Sequence, residues 1–305
     1  MQILANFIKS ILNFLLPKTY LPVDSKSGLW IDWADDTEIQ KRRNRESIKT
    51  FKDKGYVILS KLIPNQLCDE LNQKFSKYVE SNHEEARSAE DSFGFHSRLC
   101  NFHMFSSKAK EIAFHKTLVS ILDEIFSSEA VLCSSLYFEK GSEQRIHRDG
   151  PFFYTVPKNL FVGVWVALED IQEGTGELVY FPKGHLIPIS VEKIIQEGGG
   201  WSEYSKAIES KCRQLGLGLE KNLAKKGDVL IWHAELPHGG SKIDNSKQSR
   251  KSIVFHYKAK LAPIHGEDVF FSKAPVPKFS VFSYKSYNKR KYIDQGIPFF
   301  AKNEY

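Results

Sequence analysis

From Val131 onward the chain is a succession of short apolar runs, each closed by glycine, proline or charged turn residues. Val131 to Phe138, Asn159 to Leu168, Glu177 to Phe181, Asp228 to Trp232 and Lys251 to Tyr257 have the length and the β-branched and aromatic content of strands. Several such strands separated by turns close into a sandwich or barrel. The chain ahead of them is different. Pro64 to Ser81 carries Leu67, Leu71, Phe75 and Tyr78 at helical spacing, and Ser107 to Phe126 carries a stripe of Ile112, Leu118, Ile121, Leu122 and Ile125. Helices first and strands after predict an α+β chain, mainly β, whose β part is a jelly roll. Ser190 to Leu223 interrupts the strands with Gly198-Gly199-Gly200 and a charged helical pattern. An insertion of that size over a barrel mouth predicts a lid.

Both ends read as additions to this body. Placed on a helix, Met1 to Leu16 puts Leu4, Ile8, Ile11, Leu12 and Leu15 on one face, and Pro17 ends it. The segment is shorter than the roughly 20 apolar residues that span a bilayer. It has neither the basic start nor the small-residue cleavage site of a secretory signal. It is expected to dock on the protein or on a partner, the alternative being a peripheral anchor at a membrane surface. Pro22 to Arg45 is polar, with Trp30 and Trp33 as isolated anchors, and reads as a connecting arm. The expected organisation is thus a helix and arm over 1–45, a main domain over 46–260 with its insertion at about 190–223, and an aromatic and basic extension over 261–305.

The balance of 43 basic against 37 acidic residues gives +6, spread along the chain without a block of like charge, so no nucleic-acid arm is expected. Cys68, Cys100, Cys133 and Cys212 lie far apart and form no C-x-x-C pair. They read as reduced thiols of a cytoplasmic protein.

Two stretches carry chemistry. In Arg145 to Pro151, His147 and Asp149 are two residues apart and share a face if the stretch is extended. An imidazole and a carboxylate are two thirds of the 2-His-1-carboxylate set that holds non-haem iron(II). Alone, His-x-Asp is a weak signal. The stretch from Gly227 to Tyr257 supplies the rest. His233 or His238 can be the third ligand, and His238 stands beside Gly239 and Gly240, where a backbone turns closely around an ion. Twelve residues on, Arg250 opens a run in which Ser252, Val254 and His256 share its face. An arginine aimed into a barrel is costly unless it meets a carboxylate, which it grips with two parallel bonds. Ser252 can donate to the same carboxylate. The distal carboxylate of 2-oxoglutarate needs this arrangement.

Together with Trp165-Val166-Ala167-Leu168-Glu169-Asp170 and the stretch Gly176 to His185, these pieces resemble the phytanoyl-CoA dioxygenase family of iron(II)/2-oxoglutarate oxygenases. Gly55-Tyr56-Val57 resembles the start of the family domain, so the likeness covers about Ile48 to Lys260. It implies a double-stranded β-helix, the cupin-like jelly roll. It implies iron held by His147, Asp149 and His238, 2-oxoglutarate anchored by Arg250, Trp165 lining the cosubstrate pocket, and dioxygen as co-reactant. Tyr137 is the expected second polar residue on the cosubstrate. The chain departs from the family at Arg148, where many relatives have Gln or Ser. It departs again at Lys183-Gly184-His185, which lacks the serine of the usual Gly-Ser-His turn and leaves His185 to hold that turn. Asp149 implies hydroxylation, because relatives that halogenate carry a small residue there. The implied reaction is hydroxylation of an aliphatic C–H bond in a small-molecule or lipid-like substrate, releasing succinate and carbon dioxide.

Phe152, Phe153 and Tyr154 are candidates for the pocket wall, with core packing as the alternative. Arg98, His103, Arg145 and Lys183 are candidates for a basic mouth that takes an anionic substrate, with scattered surface charge as the alternative. Two other classes keep the fold. A cupin-type enzyme without 2-oxoglutarate has no use for Arg250. A non-catalytic binding or assembly factor tolerates a broken triad.

Overall fold

The computed structural model describes residues 28–271 and 280–301. The strands are β1 (Tyr56–Leu59), β2 (Leu99–Cys100), β3 (Ala130–Phe138), β4 (Tyr154–Thr155), β5 (Phe161–Ala167), β6 (Leu178–Tyr180), β7 (Glu220–Lys221), β8 (Val229–His233), β9 (His238–Gly240), β10 (Ser252–Ala259), β11 (Ile264–His265), β12 (Tyr284–Tyr287), β13 (Arg290–Ile293) and β14 (Phe299–Phe300). A large sheet runs β1-β8-β5-β10-β3-β13-β12, with β2 and β14 attached beside β3. A small sheet, β7-β6-β9, packs on it through a shared apolar layer of Trp165, Leu230, Trp232, Leu178 and Tyr180. This is the expected jelly roll.

The large sheet sorts its side chains by alternation. Val162, Val164 and Val166 of β5, Val229 and Ile231 of β8, and Ile253, Phe255 and Tyr257 of β10 turn to the helices and form the main core with Leu71, Phe75, Leu118 and Leu122. Emptying one such site, as in Phe255→Ala, costs about 3–5 kcal/mol. The residues between them, Trp165, Leu230, Trp232 and Val254, turn to the small sheet. On β3 the alternation changes phase. Its pairing with β10 slips by one residue between His256 and Tyr257, so Ala130 and Leu132 face the helices before the bulge and Tyr137 faces them after it.

Three readings change in detail. The stripe from Ser107 to Phe126 is two helices, Ser107–Ala113 and Lys116–Phe126, with His115 extended between them. The six-residue step from Ile112 to Leu118 does not keep the 3-4 spacing of one apolar face. The connecting arm is folded from Gly28 on, with short helices at Trp30–Trp33 and Asp36–Gln40 and with Leu29, Ile31, Ala34 and Ile39 fully buried. In the tail, β12 and β13 form a hairpin and β13 joins β3 in parallel, so alternation too short to read from the sequence is stabilised by an existing sheet edge. The amphipathic segment Met1 to Leu16 lies outside the described residues. Among those described, no helix is long and apolar enough to cross a membrane.

His103 is fully buried, and its Nδ1 lies 2.8 Å from Ser135 Oγ. Burial pushes its pKa down to about 3, with Lys110 acting in the same direction. An unfolded histidine titrates near 6.5. The unfolded chain therefore takes up this proton first, and the stabilisation is complete above that pH and lost as pH falls toward about 3. The denaturant midpoint should drop between pH 7 and pH 5, and His103→Gln should flatten that slope. A midpoint that does not change over this range in the wild type would refute the assignment.

Candidate active site

His147 and His238 are joined by two reciprocal backbone hydrogen bonds, His147 N to His238 O at 2.8 Å and His238 N to His147 O at 2.9 Å. The stretch Arg145 to Pro151 is thus not a regular strand. It touches the small sheet at one bridge, and Asp149 is then tied by its N–H to Ala234 O at 3.1 Å. Gly239 serves a purpose other than a turn around an ion. A Cβ there would meet Gln144 O at 2.6 Å, so the glycine admits the backbone that carries His147 against β9.

The side chains converge as expected. One donor atom from each of His147, Asp149 and His238 lies within 4.8 Å of the others, and all three residues are buried. Asp149 Oδ1 is 3.7 Å from His147 Nε2 and 3.8 Å from His238 Nε2. His147 Nδ1 is bonded to Arg145 O at 2.8 Å and His238 Nδ1 to Leu236 O at 3.0 Å. A carbonyl only accepts, so both rings carry their proton on Nδ1 and turn the Nε2 lone pair inward. Burial pushes both imidazoles down to about 4, helped for His147 by the nearby His238, which keeps them neutral and ready to ligate. The donor set fits a divalent transition metal.

His233, the other candidate, points to the helix side, where its Nε2 lies 3.4 Å from Asp32 Oδ2. Position along β8 decides this, since His233 follows Trp232 on the opposite face. Arg148 also turns away, bonding Glu235 Oε2 at 2.9 Å and the carbonyls of Gly184 and Ile187 at 2.7 Å. His185 holds its turn through Lys52 O at 3.0 Å.

A cavity of about 930 Å³ opens over the triad, within the range of small-molecule sites. Arg250 and Trp165 line it, as do Phe152, Phe153, Arg98 and Arg145. Arg250 is almost fully buried, its guanidinium 5.5 Å from the Phe138 ring and 5.9 Å from Trp165, and its Nη1 donates to Ser252 Oγ at 2.6 Å. Trp201, Ser202 and Ser205 of the helix Trp201–Gln214 close one side, so the insertion does cap the site. Tyr137 is not at the cavity. Its hydroxyl donates to Asn72 Oδ1 at 3.0 Å and its ring stacks on Phe75, because the residues facing the cavity after the β3 bulge are Leu136 and Phe138. His103 and Lys183 are absent from the lining, and Tyr154 packs on Phe270.

The model of the phytanoyl-CoA dioxygenase (PhyH) family matches residues 51–252. The chain belongs to that family. Phytanoyl-CoA dioxygenase domain-containing protein 1 of Danio rerio is 24% identical over 259 residues, covering 69% of this chain and 88% of the relative. Peroxisomal phytanoyl-CoA dioxygenase of Mus musculus is 32% identical over 124 residues, covering 39% of this chain and only 34% of the relative. Among solved structures, the α-ketoglutarate-dependent carbocyclase SnoK from nogalamycin biosynthesis superposes with a TM-score of 0.60 at 15% identity, over 80% of this chain and 95% of that one. Iron-bound EctD from S. alaskensis does so with 0.55 at 14%, over 76% and 81%. These two share the fold. Iron and 2-oxoglutarate are the metal and cosubstrate that this PhyH-family site fits.

Trp232 was not singled out in the sequence. Its Nε1 donates to Asp149 Oδ2 at 2.7 Å, leaving Oδ1 to face the two imidazoles. Its indole lies on Gly163, where a Cβ would come within 2.1 Å of the ring. A glycine amid the apolar run of β5 is the one signal that could have found it, since such a glycine marks a close approach. Trp232→Phe should weaken iron(II) or cobalt(II) binding about 10–100-fold, the usual effect of losing a ligand's orienting partner, with little change in Tm. An unchanged metal affinity would show that the indole only fills space.

Proposed function

We propose that the protein is an iron(II)- and 2-oxoglutarate-dependent dioxygenase that hydroxylates an aliphatic C–H bond of a small-molecule or lipid-like substrate, releasing succinate and carbon dioxide. One observation carries the reading: a buried His-Asp-His triad and a buried arginine share one cavity. Bound iron, with 2-oxoglutarate and dioxygen, supplies the oxidising power that no side chain has.

The chain's own residues bind, orient and exclude water. His147, Asp149 and His238 would hold the iron and leave its cavity side to 2-oxoglutarate and dioxygen. The planar fork of the Arg250 guanidinium matches a carboxylate. Ser252, fully buried and outside the cavity lining, fixes the fork by accepting from Nη1. Trp165 and Phe138 form an apolar sleeve around the guanidinium, which strengthens its grip by keeping water away. Trp201 brings the lid to within 5.5 Å of the His147 ring and shields the metal from bulk water. An intact Asp149 supports hydroxylation over halogenation. Arg98 and Arg145 outnumber Glu267 on the rest of the wall, which suits an anionic substrate.

Iron-loaded protein exposed to oxygen should release succinate from 2-oxoglutarate, and His147→Ala should abolish this. Arg250→Lys should raise the Kd for 2-oxoglutarate about tenfold or more, since a charge-assisted bond is lost, while iron binding persists. Calorimetry that detects no 2-oxoglutarate binding to the iron-loaded wild type would overturn the proposal in favour of a metal-binding jelly roll without the cosubstrate.

A further inference from the structure

The cavity wall contributed by β10 has two unlike ends. Arg250 stands at one end, held by the fully buried Ser252. His256 stands on the same face four residues past Ser252, about 13 Å from it at a strand's rise of roughly 3.3 Å per residue. A short diacid held by Arg250 and directed at the triad leaves the His256 end to the second substrate. The metal's surroundings reach that end as well, because His256 pairs with Gly163, and Gly163 carries the indole that holds Asp149.

This end of the cavity is built from rings. Phe153 lies 4.3 Å from the His256 imidazole, and Phe152 lies 4.4 Å from Trp201 of the lid. All four line the cavity. Among them His256 has one ring nitrogen committed, Nδ1 at 2.8 Å from the hydroxyl of Ser134, its register partner. Its Nε2 has no hydrogen-bond partner among the described residues, and His256 lines the cavity. Burial holds this imidazole well below its ordinary pKa, at about 4. A neutral ring with one nitrogen tied presents a single directional hydrogen-bonding atom on an otherwise aromatic wall.

We propose that His256 is a specificity-determining residue, whose Nε2 hydrogen-bonds a neutral hydroxyl or carbonyl on the apolar part of the prime substrate, seated against Phe152, Phe153 and Trp201, with any anionic group left to Arg98 and Arg145. The proposal rests on the oxygenase reading, with Arg250 as the cosubstrate anchor. The rings set the apolar shape that is accepted, and His256 sets which atom of that shape lies against the wall. A buried hydrogen-bonding group rejects the analogue that lacks its partner more sharply than an apolar pocket rejects a change of size.

The test uses the full chain loaded with iron(II) and 2-oxoglutarate under nitrogen, titrated by calorimetry with benzyl alcohol and with ethylbenzene, which replaces the hydroxyl by a methyl. His256→Phe should weaken benzyl alcohol about fivefold, the scale of one neutral hydrogen bond, and leave ethylbenzene at its wild-type affinity or tighter. His256→Gln, which restores a side-chain donor and acceptor, should keep benzyl alcohol within about twofold of wild type. Unchanged 2-oxoglutarate affinity in both variants reports an intact fold. The proposal is overturned if the wild type does not bind benzyl alcohol, if His256→Phe leaves its affinity unaltered, or if both probes weaken equally. Failure of the oxygenase reading looks different, because the wild type would then not bind 2-oxoglutarate at all.

Discussion

Two backbone hydrogen bonds between His147 and His238 fasten the stretch before β4 to the small sheet. The ligand geometry depends on them. They set two imidazoles side by side with ring centroids 4.4 Å apart, before any metal is considered. The glycines after His238 let the backbones approach closely enough for those bonds to form, and the carbonyls of Arg145 and Leu236, each two residues before its histidine, choose the tautomer. Backbone thus fixes both the position and the protonation of the nitrogen ligands. A loop-borne pair would spend part of its binding energy on ordering those side chains.

The carboxylate is fixed differently, by the large sheet. Trp232 of β8 reaches across to Asp149, and β5 leaves a glycine beneath the indole to let it lie flat. The triad is therefore a joint between the two sheets, with nitrogen ligands set by one and the oxygen ligand oriented by the other. An anionic carboxylate between two neutral imidazoles leaves a net negative donor set in a buried place. That is unfavourable alone and favourable only against a cation. Arg250, Arg98 and Arg145 on the same cavity wall offset it in part, and they also set what else the cavity attracts.

Much of this was legible in the sequence because alternation and helical spacing are strong local signals. The strands β3, β5, β8 and β10, the helix Asn65–Ser81 and the capping insertion lie where the pattern placed them. So do His147, Asp149, His238 and Arg250, because His-x-Asp and a downstream His followed by Arg constrain one another. Tyr137 illustrates the limit. A single extra residue in β3 reverses the alternation, and nothing local in Val131 to Phe138 marks the bulge, which is set by pairing with β10. His233 against His238 was decided likewise, by which face of β8 turns to the helices. Trp232 was hidden, and His256 was placed on the face of Arg250 without a role of its own, because what they do depends on cross-strand neighbours, Gly163 and Ser134, far away along the chain.

The same division explains why substrate identity does not follow from the motif. His238 stands on β9, while backbone hydrogen bonds tie His147 to it, Asp149 to Ala234 at the end of β8 and Arg250 to Glu139 at the end of β3, so these residues follow strands whose shift would expose a whole apolar set. The aromatic end comes mostly from elsewhere: Phe152 and Phe153 sit in the turn after Asp149, and Trp201 in the insertion between β6 and β7. That insertion leaves and rejoins the small sheet at paired strands, Val179 opposite Lys221, so its length and contents can vary without moving His238 on the neighbouring strand. Its own core of Ile194, Tyr204, Ile208 and Cys212 packs with Phe181 and Ile187 and draws little on the main one. His256 is the exception, a residue of the rigid wall turned toward the variable end. A polar atom on that wall imposes one fixed condition on whatever the surrounding rings admit.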